Sequence, residues 1–433
     1  MGRIRTNAVV NPADAVCLMH RKFWFDDCFA AERSLRQLLQ ERSISPHFLN
    51  ELTMRETMKP RARDLNIQFG QLQPGPLNAI TDVPGVRVGH SNVRGRTANG
   101  RDIHTGVTLI EPRAGSINQQ PCFAGVHVLN GNGDATGLEW IREAGLLTSP
   151  IAFTNTHSLG VVRDALIALD RQDQPGDGRL YWNMPVVLET FDGLLNDING
   201  FHVRPEHVAE ALRTAVGGPV IEGAVGGGSG MICHEFKGGI GTASRRLNAA
   251  QGGWTVGAIV QANHGIRSEL RVDGYPVGRY MEQVDSPFLK ASLPHPGMGS
   301  IVVCLATDAP LLPHQCTRLA QRASLGLART GGGNEDHSGD IFVAFATGNR
   351  HVPPAAYEGK GAPTCDHLSM VNNDHISELF LAATEAVEEA IINALLAANT
   401  LEGNGHTVPG LDADTLLKAL RQAGWPGEQT NGT

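Results

Sequence analysis

From about residue 61 onward, short apolar runs alternate with glycine turns. The runs lie in GVTLIEP, AGVHVLNGNG, MPVVLETFDG, GGPVIEGAVGGGSG, WTVGAIVQANHG, GSIVVCLATDAPL and SGDIFVAFATG. Each is short, rich in Val and Ile and bounded by turn residues, which predicts buried strands. Longer segments carry a helical period instead. PEHVAEALRTAVGG places Pro205 at a first helical position and ends in glycine. Residues 312–330 space their apolar positions helically. In ISELFLAATEAVEEAIINALLAA, one face gathers Leu379, Phe380, Ala383, Val387, Ala390, Ile391 and Ala394, an arc wide enough to predict burial between layers. DADTLLKALRQAG predicts a short closing helix. With no internal repeat, the pattern describes an α/β or α+β fold whose sheets are covered by helices.

Residues 1–58 do not share this style. They hold no glycine beyond Gly2, are rich in charge and aromatics, and contain a helical stretch around AAERSLRQLLQER. We expect a single catalytic domain over 59–433, with 1–58 an extension that precedes the true start near Met58. The N-terminus lacks the apolar core of a signal peptide, and no apolar run approaches a membrane span. The expected location is therefore cytoplasmic. A net charge of −8 leaves no footprint for nucleic acid or an anionic membrane. The seven cysteines are odd in number and never form a CxxC pair, so reduced, mostly buried thiols are expected. Glycine is the exception to an ordinary composition: 51 of 433 residues, clustered, marking specific turns.

The densest cluster is VIEGAVGGGSGMICHEFKGGIGTASR, residues 220–245. No Lys-Ser or Lys-Thr follows its glycines, and they open no helix, so phosphate and dinucleotide loops are excluded. Close packing of main chains around a cleft is the alternative. Glu222 and His234 flank it, and a carboxylate there suits either a cationic substrate group or a solvated loop. Asn263, between a strand and a glycine turn, is either a turn former or an amide donor to a developing oxyanion. Ser338 stands where the polar loop GGGNEDH meets the strand GDIFVAFA. It is either a plain loop-to-strand serine or a nucleophile freed by cleavage of the bond before it, its own α-amine then serving as base. No GxSxG elbow occurs. Glu335, Asp336, His337 and Asp340 lack helical metal-ligand spacing and read as an acidic surface loop, so no metal and no cofactor is expected.

RARDL, GPLNAITDVPGVRVGH, HVLNGNGDATG, NMPVVLETFDGLLNDING, EGAVGGGSGM, FKGGIGTASR, VGAIVQANHG, ATDAPLLPHQ, LGLARTGG and SGDIFVAFAT follow one another from about Arg61 to the end. In these segments the chain resembles the self-processing aminopeptidases, which include the L-aminopeptidase/D-alanine esterase-amidases and the β-peptidyl aminopeptidases. The resemblance implies a four-layer αββα sandwich like that of N-terminal nucleophile hydrolases, with different connections. It implies a cut between His337 and Ser338, giving chains 59–337 and 338–433 that stay together in a homo-oligomer. It further implies Ser338 as nucleophile, Asn263 with His234 at the oxyanion, and Glu222 receiving the substrate's amino group. The pair that orients the nucleophile falls on Asn372-x-Asp374, with Ser377-Glu378 as the alternative. The substrates implied are small peptides, amino-acid amides or esters. Three positions depart from the family pattern: His337 replaces Gly or Asn and would slow or assist the cut, His234 replaces Tyr or Lys, and Asn372 lacks a hydroxyl. A non-catalytic, unprocessed binder of amino compounds and a metal-dependent amidohydrolase are the rival readings.

Overall fold

The computed structural model describes residues 59–172, 181–288, 299–354, 362–363 and 365–427. The extension 1–58, its expected helix, Cys17 and Cys28 lie outside these. In chain order the strands are β1 (Arg87–Arg96), β2 (Asp102–Glu111), β3 (Cys122–Gly131), β4 (Leu146–Leu147), β5 (Ile151–Asn155), β6 (Val186–Thr190) and β7 (Ile232–Cys233). They continue with β8 (Phe236–Lys237), β9 (Gly239–Arg246), β10 (Thr255–Asn263), β11 (Ser300–Thr307), β12 (Gly339–Ala346), β13 (Leu401–Gly403) and β14 (His406–Val408). The helices are α1 (Leu138–Ala144), α2 (Leu159–Gln172), α3 (Pro205–Arg213), α4 (Pro313–Arg329), α5 (Ser377–Ala397) and α6 (Ala413–Gln422).

Two large sheets stack face to face. One runs β1-β2-β5-β6, the other β4-β3-β12-β11-β10-β9. Period-2 alternation along β11 shows why these strands read as unbroken apolar runs. Val302, Cys304 and Ala306 face the other sheet, meeting Ile110, Phe153 and Leu188. Ile301, Val303 and Leu305 face outward, where Leu319 and Leu327 of α4 and Val387 and Ile391 of α5 cover them. Helices α2 and α3 cover the outer face of the smaller sheet through Val162, Leu166 and Val208 against Val107, Leu109 and Val187. The architecture is the αββα sandwich that the resemblance implied. No described helix is long and apolar enough to cross a membrane.

Helix α5 is buried on nearly every side, acids included. Arg245 reaches Glu385 at 3.0 Å and Glu389 at 2.8 Å, all three fully buried, and Arg63 adds a second cation to Glu389. Charges at such depth require partners. The expected strand around PVIEGAV does not form. Gly223 makes only an isolated bridge to Ile240, and Gly226–Gly230 follow as a 3-10 turn wedged between the sheets. A side chain at Gly227 would lie 2.2 Å from Gln261 Oε1 and 2.7 Å from the Phe153 carbonyl, so glycine is needed for the fit. The fully buried Lys237 pins this turn, its ammonium donating to the carbonyls of Gly228, Met231 and Gly238.

Candidate active site

Four strand ends meet at one end of the larger sheet. Gly339 pairs with Gly131 of β3, Asp340 with Ile301 of β11, and Ser300 with Asn263 of β10. Ser338, the residue before β12, is 1% exposed, so this serine is buried rather than displayed on a loop. Its Oγ donates to Asp340 Oδ2 at 2.8 Å and lies 2.9 Å from the Glu335 carbonyl. Burial lifts the Asp340 carboxyl to about 6, against the lowering effect of the Ser338 hydroxyl and the Ile301 amide. A buried carboxylate hydrogen-bonded to a hydroxyl is poised to take its proton near neutral pH. Asp340 is thus no member of an acidic surface loop.

Asn263 ends β10 and is buried. Its Oδ1 accepts from the Ile232 amide at 2.7 Å and its Nδ2 donates to the Phe191 carbonyl at 3.0 Å. One Nδ2 hydrogen remains unassigned. Ser300, its register partner, accepts from the Gly339 amide through Oγ at 3.0 Å, so Asn263 sits two strand spacings, about 10 Å, from the nucleophile strand.

The structure corrects the other expected site residues. Glu222 does not reach Ser338. Its Oε1 accepts from the Thr242 amide at 2.8 Å and its Oε2 takes Arg61 Nε at 2.8 Å. Thr242 pairs with Ile259, four residues back along β10 from Asn263, or about 13 Å. Its charge is already matched by the Arg61 guanidinium and it lies back along the sheet from Ser338, so Glu222 is not placed to hold a substrate amine. His234 sits in a buried cluster with Cys233 and His264, the one group of potential metal ligands among the described residues. Burial pulls its pKa down to about 4, leaving it neutral. Nδ1 lies 3.0 Å from the Ile266 carbonyl, an acceptor only, so Nδ1 carries the proton and Nε2 only a lone pair. A ring in that state donates nothing to an oxyanion. Asn372 and Asp374 lie at the far end of the sheet. Val371 bonds to Pro310, just past the C-terminal end of β11, and β11 runs parallel to β12 for seven residue pairs from Ser338's end. Ser377-Glu378 opens α5 at that same far end. The carboxylate that reaches Ser338 is Asp340.

Sequence reasoning also passed over Glu189, in the LETFDG segment. It is 4% exposed on β6, takes the Asp134 amide at 2.8 Å and the Thr156 hydroxyl, and burial raises its pKa. A Cβ at Gly133 would sit 3.2 Å from Glu189 Oε1 and 3.2 Å from Gly339 Cα. Glycine at 133 therefore leaves a gap with an acid on one wall and the nucleophile strand on the other. Glu189 is thus a buried carboxylate beside the start of β12.

Known proteins match this chain over most of its length. The model of Peptidase family S58 matches residues 78–408. The chain is 46% identical over 380 residues to "Beta-peptidyl aminopeptidase BapA" of Sphingosinicella microcystinivorans, covering 84% of this chain and 93% of that protein. Among solved structures, a Burkholderia sp. beta-aminopeptidase superposes with a TM-score of 0.80 at 65% identity, covering 84% of this chain and 99% of that one. The L-aminopeptidase D-Ala-esterase/amidase of Ochrobactrum anthropi, described as a prototype serine aminopeptidase and a variant of the Ntn hydrolase fold, gives 0.76 at 43% with the same coverages.

Proposed function

We propose, from the premise that the chain belongs to peptidase family S58 and is a serine aminopeptidase, that it matures by cutting itself between His337 and Ser338. The enzyme then releases N-terminal residues, β-amino acids among them, from small peptides, amides or esters. The observation that carries this reading is Ser338 itself: buried at the first position before a central strand, its hydroxyl already on a carboxylate. After the cut, the Ser338 α-amine accepts the Oγ proton as Oγ attacks the substrate carbonyl. Asn263 donates its remaining N–H to the oxyanion, and Glu189 holds the substrate's ammonium across the Gly133 gap. Water then releases the acyl group. The two chains stay together because β12 remains paired with β3 and β11 on either side.

The deciding experiment is the intact mass of the purified protein under denaturing conditions, beside Ser338→Ala. A 338–433 fragment in the wild type and a single chain in the variant is the expected result. One uncut wild-type chain that binds amino-acid amides without turnover would replace this reading with the non-catalytic one. Sizing of the native protein tests the homo-oligomer, and cell fractionation the cytoplasmic location.

A further inference from the structure

The loop before Ser338 is held by two asparagines that the turnover mechanism does not use. Asn130 is the penultimate residue of β3 and Asn132 the first residue after it, and both side chains reach this loop. Asn130 Nδ2 lies 3.1 Å from the Glu335 carbonyl, 2.8 Å from that of Asp336 and 2.7 Å from that of Ser338. Asn132 Nδ2 donates at 2.8 Å to the carbonyl of His337, and its backbone amide donates to Ser338 O at 3.3 Å. The His337 carbonyl belongs to the very bond whose cleavage would free Ser338. Asn263, by contrast, lies two strands away, with its Oδ1 on the Ile232 amide and one N–H on the Phe191 carbonyl.

We infer that Asn132 is the oxyanion donor of self-cleavage, a catalytic residue separate from the Asn263 that serves turnover, with Asn130 positioning the loop. This inference rests on the self-cleavage reading above. Asp340 takes the Ser338 Oγ proton as Oγ bonds to the His337 carbonyl carbon. The carbonyl oxygen becomes the oxyanion of a five-membered ring and draws closer to Asn132 Nδ2. Collapse of the ring breaks the bond to Ser338 nitrogen, which receives the proton back from Asp340. The product is an ester from His337 to Ser338 Oγ plus a free α-amine. Water hydrolyses the ester to the His337 carboxylate and the Ser338 hydroxyl. A donor already at hydrogen-bond distance from the ground-state carbonyl gains strength as charge develops there, and loss of one such donor costs about 10²-fold in rate or more.

The test follows disappearance of freshly purified precursor by intact mass, for the wild type, Asn132→Ala, Asn132→Asp and Asn263→Ala. Asn132→Asp keeps the shape but has no N–H, and guards against misfolding of the alanine variant. We expect both Asn132 variants to cleave about 100-fold more slowly. The pH midpoint of Asn132→Ala stays where the wild type has it, since the base is untouched, whereas a loop merely displaced from Asp340 would move it. Asn263→Ala cleaves at the wild-type rate. Wild-type rates in either Asn132 variant, or an equal slowing in Asn263→Ala, overturn the assignment. A wild type that never cleaves at all would instead overturn the self-cleavage reading on which it rests.

Discussion

Asp340→Asn separates the catalytic from the structural consequences of one buried carboxylate. In the folded chain its pKa is lifted from 3.8 to about 6, burial being the main cause. A carboxyl raised on folding adds stability that is complete below its unfolded pKa and is lost as pH rises through the folded value. The window here is about 4 to 6. Two pH units correspond to about 3 kcal/mol, so above pH 6 the ionised Asp340 burdens the fold by about that amount. An asparagine keeps an oxygen for the Ile301 amide without carrying charge. In a Ser338→Ala background, where neither protein can be cut, Asp340→Asn should therefore raise the melting temperature at pH 7 and leave it nearly unchanged at pH 4. Self-cleavage should move the opposite way. General-base help is worth 10²- to 10⁴-fold, and an amide cannot take the proton. The wild-type cleavage rate should climb through a midpoint near 6 and level off above 7, because only ionised Asp340 accepts from Ser338. Time courses of precursor mass between pH 5 and 8 give the rates, and thermal melts give the stabilities. A flat pH profile, or an Asp340→Asn protein that matures as fast as the wild type, refutes the base assignment.

Three further outcomes follow from the geometry. Glu189→Gln should mature normally yet lose about 10- to 100-fold in kcat/KM toward aminoacyl p-nitroanilides, the worth of a charge-assisted hydrogen bond to the substrate ammonium; unchanged kcat/KM would return the amine to some other acid. Arg61→Ala should lower stability by about 3–5 kcal/mol by stranding Glu222, with its side chain only 5% exposed, without a countercharge. Chemical denaturation reads this loss, and the activity per folded molecule should hold. His337→Gly should change the self-cleavage rate only a few-fold, since that imidazole is 63% exposed and its nearest charged partner, Asp336, is 4.0 Å away. A large acceleration in the same precursor assay would show that the side chain obstructs the cut after all.

What local sequence carries and what it cannot is visible in the two acids. Glu222 and Glu189 both end apolar runs beside glycine turns, and nothing within ten residues distinguishes them. The difference is set by register: Glu222 lands opposite Thr242, deep along β9, while Glu189 lands across Gly133 from β12. Register is a relation between strands far apart in sequence. The same reason defeats Asn372-x-Asp374, which is only 34 residues from Ser338 but on the far side of a strand that must first be traversed. The strand-end positions of Ser338 and Asn263 were legible because each marks a change of pattern on its own strand, from polar loop to apolar run or back. β10, β11 and β12 were legible because burial on both faces leaves no polar alternation to confuse with a helix. β1, RVGHSNVRGR, was not: only its first half is buried, and its second half is as polar as a loop. The wedge Gly226–Gly230 defeated the strand expectation because main chain fills space there that side chains fill elsewhere.

In the proposed mechanism, the position of Ser338 lets one residue serve two acyl transfers without a rearrangement of the fold. Before the cut, its nitrogen is an amide and useless as a base, so the proton must go to a neighbour, and Asp340 is the neighbour in contact. After the cut the nitrogen is an amine attached to the same Cα, held by a strand that pairs on both edges. The base then travels with the nucleophile, and Asp340 need no longer be the proton acceptor. The carbonyl changes as well. In the first transfer it belongs to His337 and is fixed by the chain against β3, within reach of Asn132. In the second it belongs to a substrate whose ammonium is drawn to Glu189 on β6, and the open donor is Asn263 on β10. Two carbonyls approaching one hydroxyl from different sides require two donors, and Asn132 and Asn263 are the pair that we propose.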